Sequence, residues 1–296
     1  MPAPHRIVQA DNLEYLRTLE QGIAALVYVD PPFNTGKRQV RRNVSSIQDE
    51  RGEHVGFHGQ RYRTTELSRL GYADTFDDYL AFLAPRFEEA KRILAPGGSF
   101  FLHIDYREAH YCKVLLDAIF GRDHFLNEIV WAYDYGARTK KRWPTKHDTL
   151  FWYARDPDDY VFDVEAMDRI AYMAPELVGS EKAERGKTPT DVWWHTIVSP
   201  TGREKTGYAT QKPLGILERI VKVHSRPGDL VVDFFAGSGT AGEAAAKHGR
   251  RFLLVDDNPE AIAVMEKRLA RFVPEVVTPA GTRRARGAEG SLVEGA

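Results

Sequence analysis

The chain has 296 residues and a formal net charge of −1, which fits one large domain or one domain with a smaller lobe. It contains no run of about 18 apolar residues and no signal-peptide core, and Cys112 is its only cysteine. These features argue against a membrane-spanning helix and a disulfide framework, and we expect a cytoplasmic protein. Because the charges nearly balance, a surface that binds nucleic acid would have to be local.

The first half of the chain alternates strand patterns with helix patterns. From Phe76 to Leu94, apolar residues at steps of three and four form one face of a predicted helix. Short apolar runs on either side of it predict strands. The predicted elements are strands at 6–10, 25–29, 99–105, 127–131 and 149–153, with further helices at 13–19 and 107–120. This alternation is typical of parallel βαβ units and predicts a doubly wound α/β sheet.

Two stretches interrupt the alternation. Residues 36–75 are polar and basic, and we expect a long loop that acts as a lid or is disordered. Lys37 and Arg38 near its start are candidate DNA contacts. Residues 155–208 are rich in proline, glycine and charge, which predicts a small, less regular lobe.

A basic loop precedes that lobe. Residues 134–148 combine cations, small polar residues and Trp143, a composition that can follow phosphates and stack on an unpaired base. We therefore interpret 134–208 as a target-recognition and DNA-binding region. Its candidate DNA contacts are Arg138, Lys140, Lys141, Arg142 and Lys146.

The last third of the chain returns to the alternation. It predicts a helix from 210 to 224 with Pro213 in its first turn, strands at 230–232 and 251–255, and helices at 241–248 and 260–272. Residues 274–296 are low in apolar side chains and are predicted to be disordered.

The strand predicted at 25–29 ends in Asp30-Pro31-Pro32-Phe33. Proline lacks the N–H that a sheet ladder needs, so the chain must leave the sheet just after Asp30. A carboxylate, a rigid turn and an aromatic ring then lie at the carboxyl end of a strand, where open α/β sheets bind ligands. Asp30 and the Pro31 carbonyl could accept the two hydrogens of an exocyclic amine while Phe33 stacks on the base. The alternative is an ordinary loop in which Asp30 caps a helix.

A second motif follows the strand predicted at 230–232. Its residues are Asp233, Phe234, Phe235, Ala236, Gly237, Ser238, Gly239 and Thr240. The glycines permit a tight turn before a helix and let a ligand approach the backbone. Asp256 and Asp257 end the next strand, about twenty residues further on, where a carboxylate can take both hydroxyls of a ribose.

Gly237, Gly239 and Gly242 also satisfy the G-x-G-x-x-G pattern of dinucleotide sites, so a nicotinamide-dependent oxidoreductase is an alternative. Asp233 argues against it, because a carboxylate beside a pyrophosphate would repel it. S-adenosylmethionine has no phosphate, and its sulfonium and ammonium favour a nearby carboxylate. We therefore predict S-adenosylmethionine as the cofactor and no metal site.

Together these motifs resemble the amino-group DNA methyltransferases of the permuted β class. DPPFNTG at 30–36 resembles the catalytic motif of that class and DFFAGSGT at 233–240 its donor-binding motif, with TQKP at 210–213 just upstream. The resemblance covers about residues 7–272, and 101–131 further resembles adenine-modifying members, including modification subunits of type III restriction systems. It implies a mostly parallel seven-stranded sheet with one reversed strand and helices on both faces. It also implies that the target base is flipped out of duplex DNA.

The resemblance assigns roles by position. Asp30, Pro31 and Phe33 would be catalytic, with Pro32 shaping their turn, although Phe33 replaces the more usual tyrosine. The implied donor-binding residues are Asp11 and Asn12 near the adenine, Thr210 and Lys212 near the methionine end, Asp233 to Thr240 lining the pocket, and Asp256 with Asp257 at the ribose. The domains would be a catalytic half at 1–133, the recognition region at 134–208, a donor-binding half at 209–273 and a tail at 274–296.

The same resemblance bears on substrate and partners. Asp at the first motif position favours adenine N6, with cytosine N4 as the alternative, because serine is commoner in the cytosine-N4 enzymes. RNA or protein methylation is less favoured, because those enzymes more often place an Asn-Pro-Pro-Tyr motif after the glycine turn. A DNA-binding module with a degenerate site is a further alternative, against which the intact motifs argue. A homodimer and a cognate restriction endonuclease are open as partners.

Overall fold

The computed structural model describes residues 5–34, 37–48, 54–55, 61–74, 78–136, 138–199 and 202–285, and for 37–74 it describes the backbone alone. The chain divides into two compact units. The smaller is Asn34–Asp77, and the larger comprises the residues before and after it.

Most of the strands belong to one mixed sheet in the larger unit. In chain order the strands are β1 (Arg6–Gln9), β2 (Ala24–Val29), β3 (Lys37–Gln48), β4 (His54–Val55), β5 (Arg61–Asp74), β6 (Leu94–Ile104), β7 (Phe125–Ala132), β8 (His147–Ala154), β9 (Val192–Trp194), β10 (Leu230–Asp233), β11 (Arg251–Asp256), β12 (Glu275–Thr278) and β13 (Gly281–Arg284). Across the main sheet the order is β13-β12-β1-β11-β10-β2-β6-β8-β7-β9. Neighbours from β12 to β6 are parallel, and β8 and β13 run against their neighbours.

Six of the seven described helices fall into two groups. The seven are α1 (Asn12–Thr18), α2 (Tyr79–Ile93), α3 (Ala109–Phe120), α4 (Ser180–Arg185), α5 (Leu214–His224), α6 (Thr240–Lys247) and α7 (Pro259–Leu269). Helices α1 to α3 contact one another in sequence, and so do α5 to α7. Asp11, Asp78 and Asn258 cap α1, α2 and α7 by accepting backbone N–H groups. The predicted α/β fold is confirmed, and the predicted helices and strands agree with the structure to within a few residues at their ends.

The strand count differs from the expected seven. The expected set is present as β1, β11, β10, β2, β6, β8 and β7, with β8 as the reversed strand. In the described part of the chain the sheet is extended to ten strands by β12 and β13 at one edge and β9 at the other. β9 and β13 lie at the two edges and need a backbone partner on one side only, whereas β12 pairs with both β13 and β1.

The prediction of a long loop at 36–75 was wrong. Strands β3 and β5 pair antiparallel from Lys37↔Asp74 to Gln48↔Tyr62, and β4 adds a short third strand. The sequence shows no clean alternation there, because a small sheet can stay polar where backbone pairing supplies its hydrogen bonds. The side chains of Lys37 and Arg38 lie outside what the structure describes.

The prediction of a disordered tail was wrong for its first part. Strand β12 pairs in parallel with β1 through Arg6↔Glu275 and Ile7↔Val276, and β13 turns back on β12. Val276 is fully buried at this edge, so one apolar residue and a parallel neighbour order a segment that composition alone marks as polar. Residues 286–296 lie outside the described part of the chain.

The pairing of β2 with β10 places the two sequence motifs together. These strands are parallel neighbours, with Leu26↔Val231 and Val27↔Val232 in register. Across the sheet, β11 and β1 lie beyond β10 on one side, whereas β6 and β8 lie beyond β2 on the other. The chain therefore continues from β10 to β11 in one direction and from β2 to β6 in the opposite direction. Ligands bind at such a switch point, outside the carboxyl ends of the strands. Asp30 and Asp233 lie at those ends.

Two glycines, one in the turn after β10 and one in α6, lie where packing leaves no room for a Cβ without a shift of a neighbouring side chain. A Cβ on Gly239 would lie 2.8 Å from Met265 Cγ of α7, and one on Gly242 would lie 2.6 Å from Leu254 Cδ1 of β11. Gly239 also has a left-handed φ of +74°. The spacing of these glycines therefore serves the close approach of α6 to α7 and β11, as the third glycine of a dinucleotide fingerprint does.

Substitution of Gly239 by alanine tests this packing. Gly249 is a matched control, because it has the same φ of +74° but nothing lies within 4 Å of the position that a Cβ would take. We expect Gly249→Ala to lower the free energy of unfolding by about 1 kcal/mol through the left-handed backbone alone. Gly239→Ala should cost about 2–4 kcal/mol, because overpacking against Met265 is added. Equal losses in urea denaturation would contradict the packing argument.

In the described part of the chain, no helix combines the length and the apolar character that crossing a bilayer requires.

Candidate active site

The first half of the site is the turn that follows β2. Asp30 leaves the strand with its side chain only 14% exposed, and Pro31 is buried behind it. The Tyr79 hydroxyl of α2 donates to the Pro32 carbonyl at 2.6 Å, which fixes the turn. Among the described residues no group donates to the Pro31 carbonyl, so this oxygen remains available as an acceptor.

The two oxygens of the Asp30 carboxylate differ. Lys212 donates from its Nζ to Oδ2, and the same ammonium lies 4.7 Å from the centroid of the Phe33 ring. Oδ1 is buried and has no hydrogen-bond partner among the described residues. A buried carboxylate oxygen without a donor is costly, so it marks a place where a ligand donor belongs.

A buried chain of hydrogen bonds lies behind this turn. Tyr28 Oη and His103 Nδ1 are 2.7 Å apart, His103 Nε2 and Asp148 Oδ2 are 3.1 Å apart, and Tyr133 donates to Asp148 Oδ1 at 3.2 Å. Burial by itself would raise the pKa of Asp148, but the hydrogen bond and charge of His103 hold that pKa below its usual value. An ionised Asp148 accepts only, so His103 donates to it from Nε2.

These hydrogen bonds hold His103 against Phe33, and the centroids of the two rings are 6.0 Å apart. Sequence reasoning missed Tyr28, His103 and Asp148. Tyr28 could have been found, because it lies two residues before Asp30 and so shares its face of β2. The other two come from β6 and β8, and only the sheet order brings them here.

The second half of the site is the turn after β10. Asp233 is 3% exposed, and its Oδ1 accepts the Phe235 N–H at 3.0 Å. Burial raises the pKa of Asp233 well above its usual value, and the charges of Asp30 and Asp256 add to this. A positively charged ligand would lower the pKa of Asp233 and stabilise its ionised form, whereas a phosphate would raise that pKa further.

Asp256 closes the far side of this turn. It accepts the Gly237 N–H at 2.8 Å and the Asn258 N–H at 3.0 Å, one on each oxygen. Burial raises the pKa of Asp256 to about 6 in spite of these two bonds. Each oxygen keeps a lone pair, so the carboxylate can still accept ribose hydroxyls. Asp257 beside it is exposed.

Several predicted donor-binding side chains do not line an open pocket. Phe234 is fully buried and Ala236 nearly so. The hydroxyls of Ser238 and Thr240 are 3.1 Å apart, and Thr240 Oγ1 accepts from Arg268 Nη1 of α7 at 2.8 Å. What these positions offer a ligand is therefore backbone. Phe235 is half-buried, and its ring lies 6.1 Å from that of Phe82.

Asn12 holds the backbone of the turn after β10. Its Nδ2 donates to the Phe234 carbonyl at 2.7 Å, and its Oδ1 accepts from Arg86 Nε at 2.6 Å. Arg86 also lies 3.4 Å from Asp11 Oδ2 and stacks over the Phe82 ring at 3.8 Å. Both ends of the Asn12 amide are thus committed to protein groups. Arg86 had no signal in the sequence beyond being an arginine on the apolar helix α2.

The TQKP segment lies between the two halves of the site. Lys212 contacts Asp30, as described, and its carbonyl accepts from Thr240 Oγ1 at 3.2 Å. Thr210 is half-buried two residues earlier. Tyr208, which sequence reasoning missed, has its Cε1 3.0 Å from the position of a Cβ on Gly237. A side chain at position 237 would therefore meet that ring.

The predicted DNA contacts form an exposed group. Arg138, Lys140, Lys141 and Arg142 are exposed, as is Trp143, whereas Lys146 is half-buried and donates to the Asp134 carbonyl. Arg142 Nη2 donates to Tyr106 Oη at 3.2 Å, which connects this loop to the end of β6. In the described structure only Lys146 of these five is held by a backbone carbonyl.

The residues present fit S-adenosylmethionine. The buried acid Asp233, the backbone of the glycine turn and the acceptors Asp256 and Asp257 suit a ligand with positive groups and a ribose, and they disfavour phosphates. The orphan oxygen of Asp30 lies at the end of the neighbouring strand. Fold and site together define the class of S-adenosylmethionine-dependent methyltransferases.

Comparison with known proteins narrows the class. The DNA methylase family model for N6 and N4 methyltransferases matches residues 24–267. The type II methyltransferase M.HpaI of Haemophilus parainfluenzae is 26% identical over 264 residues, covering 89% of this chain and 74% of that protein. The DNA adenine methyltransferase YhdJ of Escherichia coli K12 is 26% identical over 276 residues, covering 89% and 82%.

A solved structure supports the fold. The M1.HpyAVI–SAM complex superposes with a TM-score of 0.57 at 20% identity, covering 89% of this chain and 98% of that one. Since the family model spans most of the chain, the protein belongs to the N6/N4 DNA methylase family. The predicted identity as an amino-group DNA methyltransferase is confirmed.

The raised pKa of Asp256 predicts a pH dependence of donor binding. As the pH falls through about 6, Asp256 gains a proton and loses the stronger hydrogen bonds of a charged acceptor. We expect the affinity for S-adenosylmethionine, measured by calorimetry, to fall by about 3- to 4-fold between pH 7.5 and 5.5. Asp256→Asn should bind more weakly and show a flatter pH profile. An unchanged profile in Asp256→Asn would show that another group is responsible.

Proposed function

We propose that this methylase transfers a methyl group from S-adenosylmethionine to N6 of an adenine that is flipped out of double-stranded DNA. The observation that carries the proposal is the Asp30 carboxylate. It lies at the end of β2, beside the Phe33 ring and one strand away from the glycine turn, and its Oδ1 is buried without a donor among the described residues.

The chain's own groups would bind the base in three ways. Asp30 Oδ1 and the Pro31 carbonyl accept the two hydrogens of the exocyclic amine, which weakens the conjugation of its lone pair with the ring. Phe33 stacks on the base from the side that His103 supports. Tyr79 holds the turn rigid through the Pro32 carbonyl, so that these acceptors need not reorganise during the reaction.

The donor would be held mainly by backbone and carboxylates. When bound, S-adenosylmethionine supplies an electrophilic methyl group on a sulfonium. Asp233 would face its positive charge, Asp256 and Asp257 would accept its ribose hydroxyls, and Phe235 would pack against it. Thr210, Lys212 and Asp11 stay predicted donor contacts, and Asn12 would act by holding the Phe234 carbonyl.

Adenine is favoured by the aspartate in the first position of the motif and by the similarity to YhdJ, which is named an adenine methyltransferase. Cytosine N4 is the second candidate, because the family includes both activities.

Residues 134–208 and the exposed cations of the 134–148 loop would meet DNA, together with Lys37 and Arg38. We further propose that the protein acts in the cytoplasm. Its candidate protein partners are a second copy of the chain and a cognate restriction endonuclease.

Sequencing that detects modified bases tests base and recognition site together. Cells lacking other DNA methylases would express the chain, and their DNA would be compared with that of cells expressing Asp30→Ala. The proposal predicts N6-methyladenine at one recurrent site in the first sample only. N4-methylcytosine would move the assignment to the second candidate, and absence of both would reject DNA methylation.

Asp30→Ala separates base binding from donor binding. Because Asp30 would accept the amine and not hold the donor, the variant should lose at least about 100-fold in the rate of methyl transfer. Its donor affinity should stay within a few-fold of the wild type by calorimetry. Asp123→Ala, which removes an exposed carboxylate between α3 and β7, outside residues 134–208, is a control and should keep full activity. Near-normal transfer by Asp30→Ala would contradict the assigned role.

A further inference from the structure

Lys212 occupies the place that the proposed function reserves for the base. Its ammonium donates to Asp30 Oδ2 and lies 4.7 Å from the Phe33 ring centroid. The side chain is only 12% exposed, so this cation is largely removed from water. A base stacked on Phe33 with its amine on Asp30 would need the same volume.

Lys212 also balances the buried acids around it. Burial dominates the raised pKa of Asp233, and the charge of Lys212 opposes that rise. At Asp148, where burial also raises the pKa, Lys212 adds to the lowering by His103. Lys212 is therefore a shared counter-charge for Asp30, Asp233 and Asp148, and a second cation brought among them would compete with it.

The backbone at Lys212 is held on both sides. The Lys212 carbonyl accepts from Thr240, and Pro213 follows as the residue that caps α5. The four-carbon stem can nevertheless turn the ammonium away from Asp30 without moving the chain.

We propose that Lys212 is a placeholder in the base-binding site, which keeps Asp30 paired and Phe33 covered until the donor is present. The inference rests on the proposed function. A sulfonium carries the same sign of charge as Lys212, so the contact of Lys212 with Asp30 is weakened when the donor site is filled. Binding of the target base is thereby coupled to prior binding of the donor.

The test compares DNA affinity without sinefungin and with sinefungin at a concentration that saturates each variant; sinefungin is an unreactive donor analogue that has an amino group in place of the methyl-sulfonium. The full chain is titrated with a duplex carrying the site found by sequencing, in which the target adenine is kept and 2-aminopurine lies next to it, where its fluorescence rises when its neighbour leaves the stack. In the wild type, sinefungin should tighten binding at least 10-fold and raise the fluorescence. In Lys212→Met, binding without sinefungin should be tighter than in the wild type, and the ratio of the two affinities should fall below 3.

Loss of a positive charge alone would weaken DNA binding in both states, which is opposite to the expected change. Lys222→Met is the matched control, because it removes an ammonium of α5 that lies 2.5 Å from Asp168 Oδ1. It should keep the wild-type ratio. If Lys212→Met does not fold, Lys212→Gln, which keeps a polar end without the positive charge, replaces it and should also lower the ratio.

An unchanged ratio in a folded variant would overturn the placeholder role. If the wild type methylates DNA but Lys212→Met keeps the wild-type ratio of DNA affinities with and without sinefungin, this inference fails and the proposed function stands. If the wild type methylates no DNA, the proposed function fails and the inference fails with it.

Discussion

The parallel pairing of β2 with β10 is the constraint on which the site depends. Asp30 and the glycine turn are about two hundred residues apart in the sequence, and nothing local relates them. Backbone hydrogen bonds between Leu26–Val27 and Val231–Val232 put both at the same edge of the sheet. A shift of register by one residue would turn every side chain of β2 to the opposite face and remove Asp30 from the cleft.

The chemistry of the cleft follows from burying carboxylates at that edge. Asp233 and Asp256 have raised pKa values because they are buried, and Asp30 keeps one oxygen without a partner among the described residues. Such an arrangement costs folding free energy and persists where the fold holds it in place. Here the carboxylates are held in place by the proline turn and by the hydrogen bond from Tyr79 to the Pro32 carbonyl. The buried hydrogen bonds that link Tyr28, His103, Asp148 and Tyr133 add to this. The site is therefore preorganised for a ligand with amine hydrogens and positive charge.

Sequence and structure agree wherever the signal is local. The two prolines after a buried strand and the glycine turn between strand and helix can both be read from neighbouring residues. The contacts that decide the site cannot, because they join distant segments: Lys212 meets Asp30, Arg86 meets Asn12, and His103 meets Asp148. The pattern of glycines was likewise visible, but only the structure shows that Gly239 and Gly242 serve packing against α7 and β11.

The missed strands have a related cause. Strands β3, β5 and β12 are ordered by backbone pairing and carry little apolar alternation, so their composition resembles that of loops. The donor-binding roles of Ser238 and Thr240 stay predictions, and the structure adds that both hydroxyl oxygens accept from Arg268. Motif membership places a backbone position near a ligand and leaves open which way its side chain points.

The most direct measurement of the central claim is a crystal structure of the protein with sinefungin and its target duplex. The account predicts a flipped adenine stacked on Phe33, with N6 bonded to Asp30 and the Pro31 carbonyl. The N6 atom should lie about 3–3.5 Å from the amino group that replaces the methyl-sulfonium. A donor analogue bound away from the turn after β10, or a base bound away from Asp30, would contradict it.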